Sequence, residues 1–297
     1  MSETSGPAQQ SETILVTGAT GNIGSIVVES LLSAGEKVRA AGTNVDAIKR
    51  RFGDSVEPVV LNFTDSSTWP GAFRGVTQMF LMRPPALGKP KTQMLPSLEA
   101  AQSAGVRQMV LLSLQGAEHN KVVPHYALEQ WLRSSEVDWT FVRPSFFMQN
   151  LTTTHLTDIR ERDEIMVPAG RGATAFVDAS DVAAVAVQAL LAPSEHRHVA
   201  WTPTGPEALT YDQIADNLTR VLGRRIVYRH PGVLRYARHA RKTLGMPWGM
   251  VAVTTAIYSV ARFGSAAGLT NDVLTVTGRE PVSFADFAAR EQQLWSR

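Results

Sequence analysis

The chain has 297 residues, room for one large domain or two smaller ones, and a hydrophobic content of 44% that excludes a disordered polymer. Its 29 basic and 27 acidic side chains leave a net charge of only +2, so the pI near 9.0 argues for no nucleic-acid coat, which needs a basic patch. There is no cysteine, which excludes disulfides, thiol nucleophiles and thiolate metal sites; redox chemistry must come from a bound cofactor.

In chain order, residues 1–12 read as a loose polar tail without the apolar core of an export signal, and a cytoplasmic protein is expected. Thr13 to Thr17 is a short apolar strand. Gly18, Gly21 and Gly24 follow at three-residue intervals, then Ile26, Val27, Val28, Leu31 and Leu32 with helical spacing. Lys37 to Ala41, Pro58 to Leu61 and Thr77 to Met82 are the next strands. Thr92 to Ala104 has the period of an amphipathic helix. Arg107 to Ser113 is a fifth strand, Tyr126 to Ser134 a helix and Trp139 to Arg143 a sixth strand. Strands separated by helices predict an α/β fold: a Rossmann-like parallel sheet with helices on both faces.

Beyond Pro144 the pattern loosens. Ala175 to Val177 and His198 to Trp201 read as strands, and Ser180 to Leu191 as a periodic helix. Thr210 to Leu222 is a helix capped by Thr210 and closed by Gly223; Val282 to Leu294 is a last helix with Ser283 and Asp286 at its cap. The expected division is a sheet domain over 13–153, completed by about 174–201, and a smaller substrate-binding cap from 154–173 and 202–297. Segment 246–264 is apolar, but Pro247 and Arg262 interrupt it, so it reads as a buried or lid helix and not as a membrane span.

The glycine segment is the sharpest signal. Gly18 permits a tight turn out of the first strand, Gly21 lets the backbone approach a pyrophosphate, and Gly24 lets the helix sit close. With Thr20, Asn22 and Ile23 it forms a site for NAD or NADP. The spacing Gly-x-x-Gly-x-x-Gly departs from Gly-x-Gly-x-x-Gly, but strand and helix flank it as that chemistry requires. No acid ends the second strand to hold a ribose diol. Thr43 and Asn44 stand there instead, and Arg39 is a candidate for a 2′-phosphate. Asn62 and Phe63 would flank the adenine; Met82 and Arg83 leave the fourth strand near the pyrophosphate, where Arg83 could equally bind an anionic substrate.

Thr17-Gly18-Ala19-Thr20-Gly21-x-x-Gly24, Val110 to Ser113, His125 to Glu129, Trp139 to Asn150, Phe176-Val177-Asp178 with Asp181-Val182-Ala183, and Gly278 to Pro281 together resemble the NmrA-like branch of the atypical short-chain dehydrogenases/reductases. The resemblance covers about residues 12–297. It implies an NAD(P)-binding protein, with Pro144 and Phe146 also in the cofactor block. Family members include reductases of quinones, dyes and other aromatics, redox-sensing regulators without turnover, and enzymes that tailor aromatic natural products.

Ordinary members of the wider superfamily use a Ser, a Tyr and a Lys four residues after the Tyr. Here Ser113 and Tyr126 stand at the corresponding separation, but the Lys position is Gln130, which offers a hydrogen bond to the ribose and no cation. His125 is the alternative acid, since an imidazole titrates near pH 6.5; His119 is a second candidate, and Glu129 supports the helix or His125. Phe147, Met148, Asn150, Trp201 and Trp248 would form an apolar wall for a flat aromatic substrate. No metal site is expected, His196 and His198 being assigned to a surface turn. The basic run from Arg220 to Lys242 suits a solvated face, an acidic partner or an anionic substrate better than nucleic acid. A homodimer or a protein partner is compatible with it.

The expected function is NAD(P)H-dependent reduction of a carbonyl, quinone or enone in an aromatic molecule. The alternatives are a non-catalytic dinucleotide sensor and a tailoring oxygenase or rearranging enzyme on a polycyclic aromatic.

Overall fold

A computed structural model describes residues 12–297. The expected tail over 1–12 lies outside the described residues apart from Glu12. That carboxylate is tied down, accepting from Thr77 Oγ1 at 3.0 Å and pairing with Arg107 at 2.5 Å.

The elements run β1 (Thr13–Thr17), α1 (Asn22–Ser33), β2 (Lys37–Gly42), α2 (Val45–Phe52), β3 (Glu57–Val60), α3 (Trp69–Phe73), β4 (Val76–Met82), α4 (Pro90–Gln93), α5 (Leu95–Ser103), β5 (Gln108–Leu112), α6 (Pro124–Ser134) and β6 (Asp138–Val142). There follow β7 (Phe146–Phe147), α7 (Leu156–Arg162), β8 (Glu164–Ile165), β9 (Ala173–Val177), α8 (Ala179–Leu191), α9 (Pro193–His196), β10 (Val199–Trp201), β11 (Ala208–Thr210), α10 (Tyr211–Leu222), β12 (Val227–Tyr228), α11 (Val233–Lys242), α12 (Trp248–Arg262), α13 (Asp272–Thr277) and α14 (Phe284–Arg290).

One compact unit holds the described residues up to Arg143 together with Ala183–Trp201. Its seven strands are ordered β10-β6-β5-β4-β1-β2-β3, every neighbouring pair parallel. The chain starts at β1, winds outward through β2 and β3, then returns to β4 on the other flank. The strand order therefore reverses at β1, and ligands of such sheets settle beyond the carboxyl ends at that point. Every residue of β1 and β5 is buried, as strands covered on both faces require. Leu15, Met79, Leu98, Leu111, Leu128 and Phe141 belong to one continuous core on the helices and sheet of this unit.

The second unit comprises Pro144–Val182 and Thr202–Arg297. A three-stranded sheet, β11-β9-β7, and a two-stranded pair, β12-β8, give it its own framework. Phe176, Tyr211, Phe284, Phe287 and Trp295 build its core, and the Trp295 indole donates to the Leu151 carbonyl at 3.0 Å.

The boundaries differ from those expected. β7 pairs with β9 and β9 with β11, so residues after Pro144 and the strand around Ala175 join the small sheet and do not complete the large one. The helix expected over 92–104 is two helices, α4 and α5. Pro96 lies in the first turn of α5, and a proline lacks the N–H and the clearance that continuation through Met94 would need. The caps at Thr210, Gly223 and Ser283 form: Thr210 and Gln213 make a reciprocal box, Gly223 has φ 63°, and Ser283 accepts from the Asp286 N–H. The last helix stops at Arg290, and a 3₁₀ turn, Gln292–Trp295, follows. α12 buries Val251, Tyr258 and Ala261 and leaves Val253, Ile257 and Val260 exposed, so it is half-buried.

Candidate active site

The carboxyl ends of β1 and β4 are joined by Thr17. Its hydroxyl donates to the Phe80 carbonyl at 3.0 Å and accepts from the Met82 N–H at 2.8 Å. Gly18 then takes φ 63°, a left-handed conformation that side chains disfavour. The Gly21 N–H donates to the Gly18 carbonyl at 2.9 Å, closing the turn. Gly21 heads α1 with no side-chain cap and no acidic residue in the first turn, so the helix start presents its N–H groups to an anion. Gly24 seats the helix on the turn. A Cβ there would lie 2.2 Å from the Gly18 oxygen and 2.7 Å from its carbonyl carbon.

A cavity of about 300 Å³ opens beside this turn. Thr17, Gly18 and Thr20 line it from one side, Ala41 to Asn44 and Leu61 to Phe63 from the ends of β2 and β3, and Met82, Pro84, Ala86 and Leu87 from the segment after β4. It thus gathers Gly18, Thr20, Thr43, Asn62, Phe63 and Met82 among the residues expected to bind cofactor. Asn22 and Ile23 stand in the first turn of α1, Ile23 buried. Two of the amide side chains are already engaged. Asn44 caps α2 by accepting from the Ala47 N–H at 3.0 Å, and Asn62 Oδ1 accepts from the Thr64 N–H at 3.0 Å. The Met82 to Pro85 segment was expected near the pyrophosphate; Ala86 and Leu87, which continue that wall, were not, and the Pro84-Pro85 turn is their only sequence signal. A larger depression of about 440 Å³ between Glu99 and Trp131 has no such turn beside it.

Arg39 is a correction. It lies in the interior of β2, opposite Leu15 and Glu57, not at the ligand end. Its Nη1 donates to the carbonyls of Ala72 (3.0 Å) and Arg74 (2.6 Å), and its Nη2 pairs with Glu57 at 2.9 Å. It satisfies the open carbonyls at the end of α3 and has no reach to a ribose phosphate.

A second constellation lies at the ends of β5 and β6. The Ser113 hydroxyl donates to Glu129 Oε1 at 2.6 Å. Arg143 donates to the same carboxylate through Nε (2.9 Å) and Nη2 (2.6 Å), and its Nη1 lies 3.2 Å from Glu118. Glu129 is wholly buried. Burial opposes the Arg143 charge, but the Glu129 and Glu118 carboxylates outweigh it and hold the guanidinium above its ordinary pKa. Ser113, expected to orient the substrate or the cofactor, gives its proton to this network. Glu129 supports the helix through Arg143 and Ser113 rather than through His125. The Arg143 role was illegible from sequence, because nothing local joins residues 113, 129 and 143.

His125 and Tyr126 open α6 on neighbouring faces, with Glu129 one turn beyond His125 and Gln130 one turn beyond Tyr126. Burial, and then the charge of Arg83, push the His125 pKa down to about 4. The imidazole is therefore neutral at pH 7 and not the acid titrating near 6.5 that was expected. Gln130 is exposed. His119 is exposed too, 3.7 Å from Glu118.

Pro144, Phe146, Phe147, Met148 and Asn150 belong to the second unit. Phe146 and Phe147 are half-buried in β7, while Met148 is 1% exposed and part of the core, so it is not a substrate contact. Trp248 stands 64% exposed at the start of α12. Trp201 ends β10 and donates its indole N–H to His196 Nδ1 at 3.2 Å. His198 pairs with Asp138 at 3.1 Å. Among the described residues no three His, Asp or Glu side chains are grouped to hold a metal, and no helix is long and apolar enough to cross a membrane.

The basic run divides. Arg224 donates to the carbonyls of Ile159 (3.2 Å) and Trp295 (2.8 Å) and pairs with Asp163, and Arg229 pairs with Glu164 at 2.8 Å. Arg235, Arg238 and Lys242 stay exposed on α11. Asp178 and Asp181 also have structural partners: Arg290 at 2.6 Å for the first, the Val282 N–H at 2.8 Å for the second.

Residues 10–259 match the model of the NmrA-like family. The chain is 35% identical over 283 residues to an NAD(P)H azoreductase of Xenophilus azovorans, covering 93% of this chain and 96% of that protein. It is 32% identical over 287 residues to the uncharacterized oxidoreductase YesF of Bacillus subtilis, covering 95% and 96%. The fold superposes on the NADPH-dependent quinone oxidoreductase of Escherichia coli, solved with NADPH, with a TM-score of 0.84 at 22% identity, covering 93% of this chain and 99% of that one. At that identity the last likeness is one of fold.

Proposed function

The chain belongs to the NmrA-like family of NAD(P)-binding proteins and stands with its oxidoreductases, and on that premise we propose that it reduces a carbonyl, quinone or enone group of an apolar aromatic molecule, with NADH or NADPH as electron donor. The residues fit the dinucleotide. The open start of α1 and the turn from Gly18 would hold its phosphates, and the wall from Thr43 to Phe63 its adenosine half. Bound there, the reduced nicotinamide supplies a hydride.

The observation that carries the reading is the state of the acid–base groups. Ser113 is bonded to Glu129, Gln130 brings no cation beside Tyr126, and burial keeps His125 neutral. Only weak proton donors remain: the Tyr126 hydroxyl and the His125 ring N–H. A weak donor suffices when the arriving charge spreads over a conjugated ring. It serves an isolated ketone poorly, because a localised alkoxide needs a stronger acid at hand. Positioning of the donor and acceptor is then the main contribution of this chain.

Stopped-flow measurement of the nicotinamide absorbance tests this with a panel of quinones, conjugated enones and saturated ketones. Turnover of quinones and enones at least a hundredfold faster than of saturated ketones is expected. Gln130 favours a second reading, a dinucleotide sensor without turnover. Saturable dinucleotide binding with no oxidation across the panel would establish that reading in place of the first.

A further inference from the structure

The carboxyl edges of β4, β5 and β6 end in register, Met82 beside Leu112 and Leu112 beside Val142. The residues that follow, Arg83, Ser113 and Arg143, therefore emerge side by side on the ligand edge of the sheet. Two of the three are cations, and they differ in one respect. Arg143 has its carboxylates, Glu129 and Glu118. Arg83 has no carboxylate partner among the described residues.

The Arg83 guanidinium is nevertheless held firmly. Its Nη1 donates to the carbonyls of Pro84 (2.9 Å), Pro85 (3.2 Å) and Leu87 (3.1 Å). That fixes the guanidinium plane and braces the turn forming one wall of the dinucleotide cavity. Met82 and Pro84 line this cavity while Arg83, between them, does not. Its Nε is buried without a partner, and so is Nδ1 of His125, the ring on which the Arg83 charge acts. Buried polar atoms left without a partner cost about 1–3 kcal/mol each unless a ligand satisfies them. Desolvation without an answering anion lowers the pKa of Arg83, in keeping with an uncompensated cation.

We propose that Arg83 and His125 form an oxyanion subsite that receives a carboxylate, sulfonate or phosphate group carried by the electron-accepting substrate. Arg83 Nε and Nη2 donate to the anion, and a neutral His125 adds one N–H. An acceptor with an apolar ring and one acidic substituent fits the site. The identification of the anion's owner as the molecule reduced rests on the reductase reading; the subsite itself does not.

The test uses the full-length protein with saturating NADPH. Naphthalene sulfonate and neutral naphthol serve as binding probes, and naphthoquinone and its sulfonate as substrates. Wild type binds the sulfonate at least tenfold more tightly than naphthol, and inorganic sulfate displaces it where chloride of equal ionic strength does not. Arg83→Gln weakens sulfonate binding roughly 10–100-fold and collapses the kcat/KM preference for the sulfonated quinone, a loss at least tenfold larger than any in NADPH affinity, for which the arginine only braces one wall. His125→Asn weakens it several-fold. Equal binding of sulfonate and naphthol by wild type overturns the proposal, and that arm stands even if Arg83→Gln fails to fold. So does an equal loss of NADPH and sulfonate affinity in Arg83→Gln, which assigns the arginine to the dinucleotide phosphates. Arg83-dependent sulfonate binding without reduction of either quinone refutes the reductase reading and leaves the subsite in place.

Discussion

Glu129→Gln is the sharpest perturbation of the candidate site, because it changes charge and almost no volume. Glu129 is wholly buried and accepts from Ser113 at 2.6 Å and from Arg143 at 2.9 and 2.6 Å. Breaking a buried pair by neutralising one partner costs about 3–5 kcal/mol. Two features soften that here. Glu118 stays 3.2 Å from Arg143 Nη1, and the glutamine oxygen still accepts one bond. Against this, the new amide N–H₂ faces groups that can only donate or would have to rotate. A loss of about 2–3 kcal/mol is expected, which corresponds to roughly 4–12 °C in the melting temperature of a unit of this size. Urea unfolding followed by circular dichroism reads it, with an unchanged m-value. Arg143→Gln should cost more, since it strands a buried carboxylate. The double variant should cost at least 1 kcal/mol less than the sum of the two single losses. Strict additivity, or a Glu129→Gln loss below 0.5 kcal/mol, would refute the claim that Glu129 supports α6 through Arg143 and Ser113.

Gly24→Ala should weaken dinucleotide binding more than tenfold, read by fluorescence titration, because its Cβ meets the Gly18 oxygen at 2.2 Å and the turn must move; unchanged affinity would show that the turn is not the phosphate cradle. Arg39→Gln should cost about 1–3 kcal/mol of stability, from its bonds to Ala72, Arg74 and Glu57, and leave the NADPH-to-NADH affinity ratio untouched; a changed ratio would restore Arg39 to the cofactor. Acid should destabilise the protein well above carboxylate titration. Burial pushes His125 and His155 down to about 4, so between pH 6.5 and 4 the unfolded chain binds protons that the folded one refuses. The stabilisation is whole above pH 6.5 and is lost as pH falls toward 4, on the order of 2–3 kcal/mol per ring. Asp181, raised by burial, works in the opposite direction. A denaturation free energy flat over that window, or a His125 resonance titrating near 6.5, would contradict the burial argument.

What was legible in the sequence follows a physical rule. The glycine turn, the strand before it and the helix after it are contiguous, so spacing alone carried them. The caps at Thr210 and Ser283 were legible for the same reason, each spanning a single turn. α2 went unread although Asn44 caps it, because its eight residues show one buried position, Ile48, and hence no apolar period. Strands β7, β8, β11 and β12 have only two or three residues, too few for alternation to appear. Arg39 misled because a sequence gives a strand's membership but not which end a side chain serves. Three residues along β2 separate the cofactor end from the open carbonyls of α3.

The same limit explains why the acid–base groups had to be reassigned. Ser113, Glu129 and Arg143 lie on three elements, and only the register of β5 on β6 and the packing of α6 bring them together. Sequence spacing suggested a serine free for substrate or cofactor, and the pairing ties it, with Arg143, to Glu129. The row of strand ends then makes Arg83 informative. Arg83 and Arg143 stand at equivalent positions on strands flanking β5, and the fold supplies carboxylates to one and backbone carbonyls to the other. Bracing the Pro84 turn occupies Nη1 alone and leaves Arg83 Nε buried without a partner, as His125 Nδ1 also is. In the proposed subsite the substrate's anionic oxygens would relieve both. On the proposed reading, charge at the ligand edge selects the acceptor, and the weak donors Tyr126 and His125 restrict it to conjugated systems.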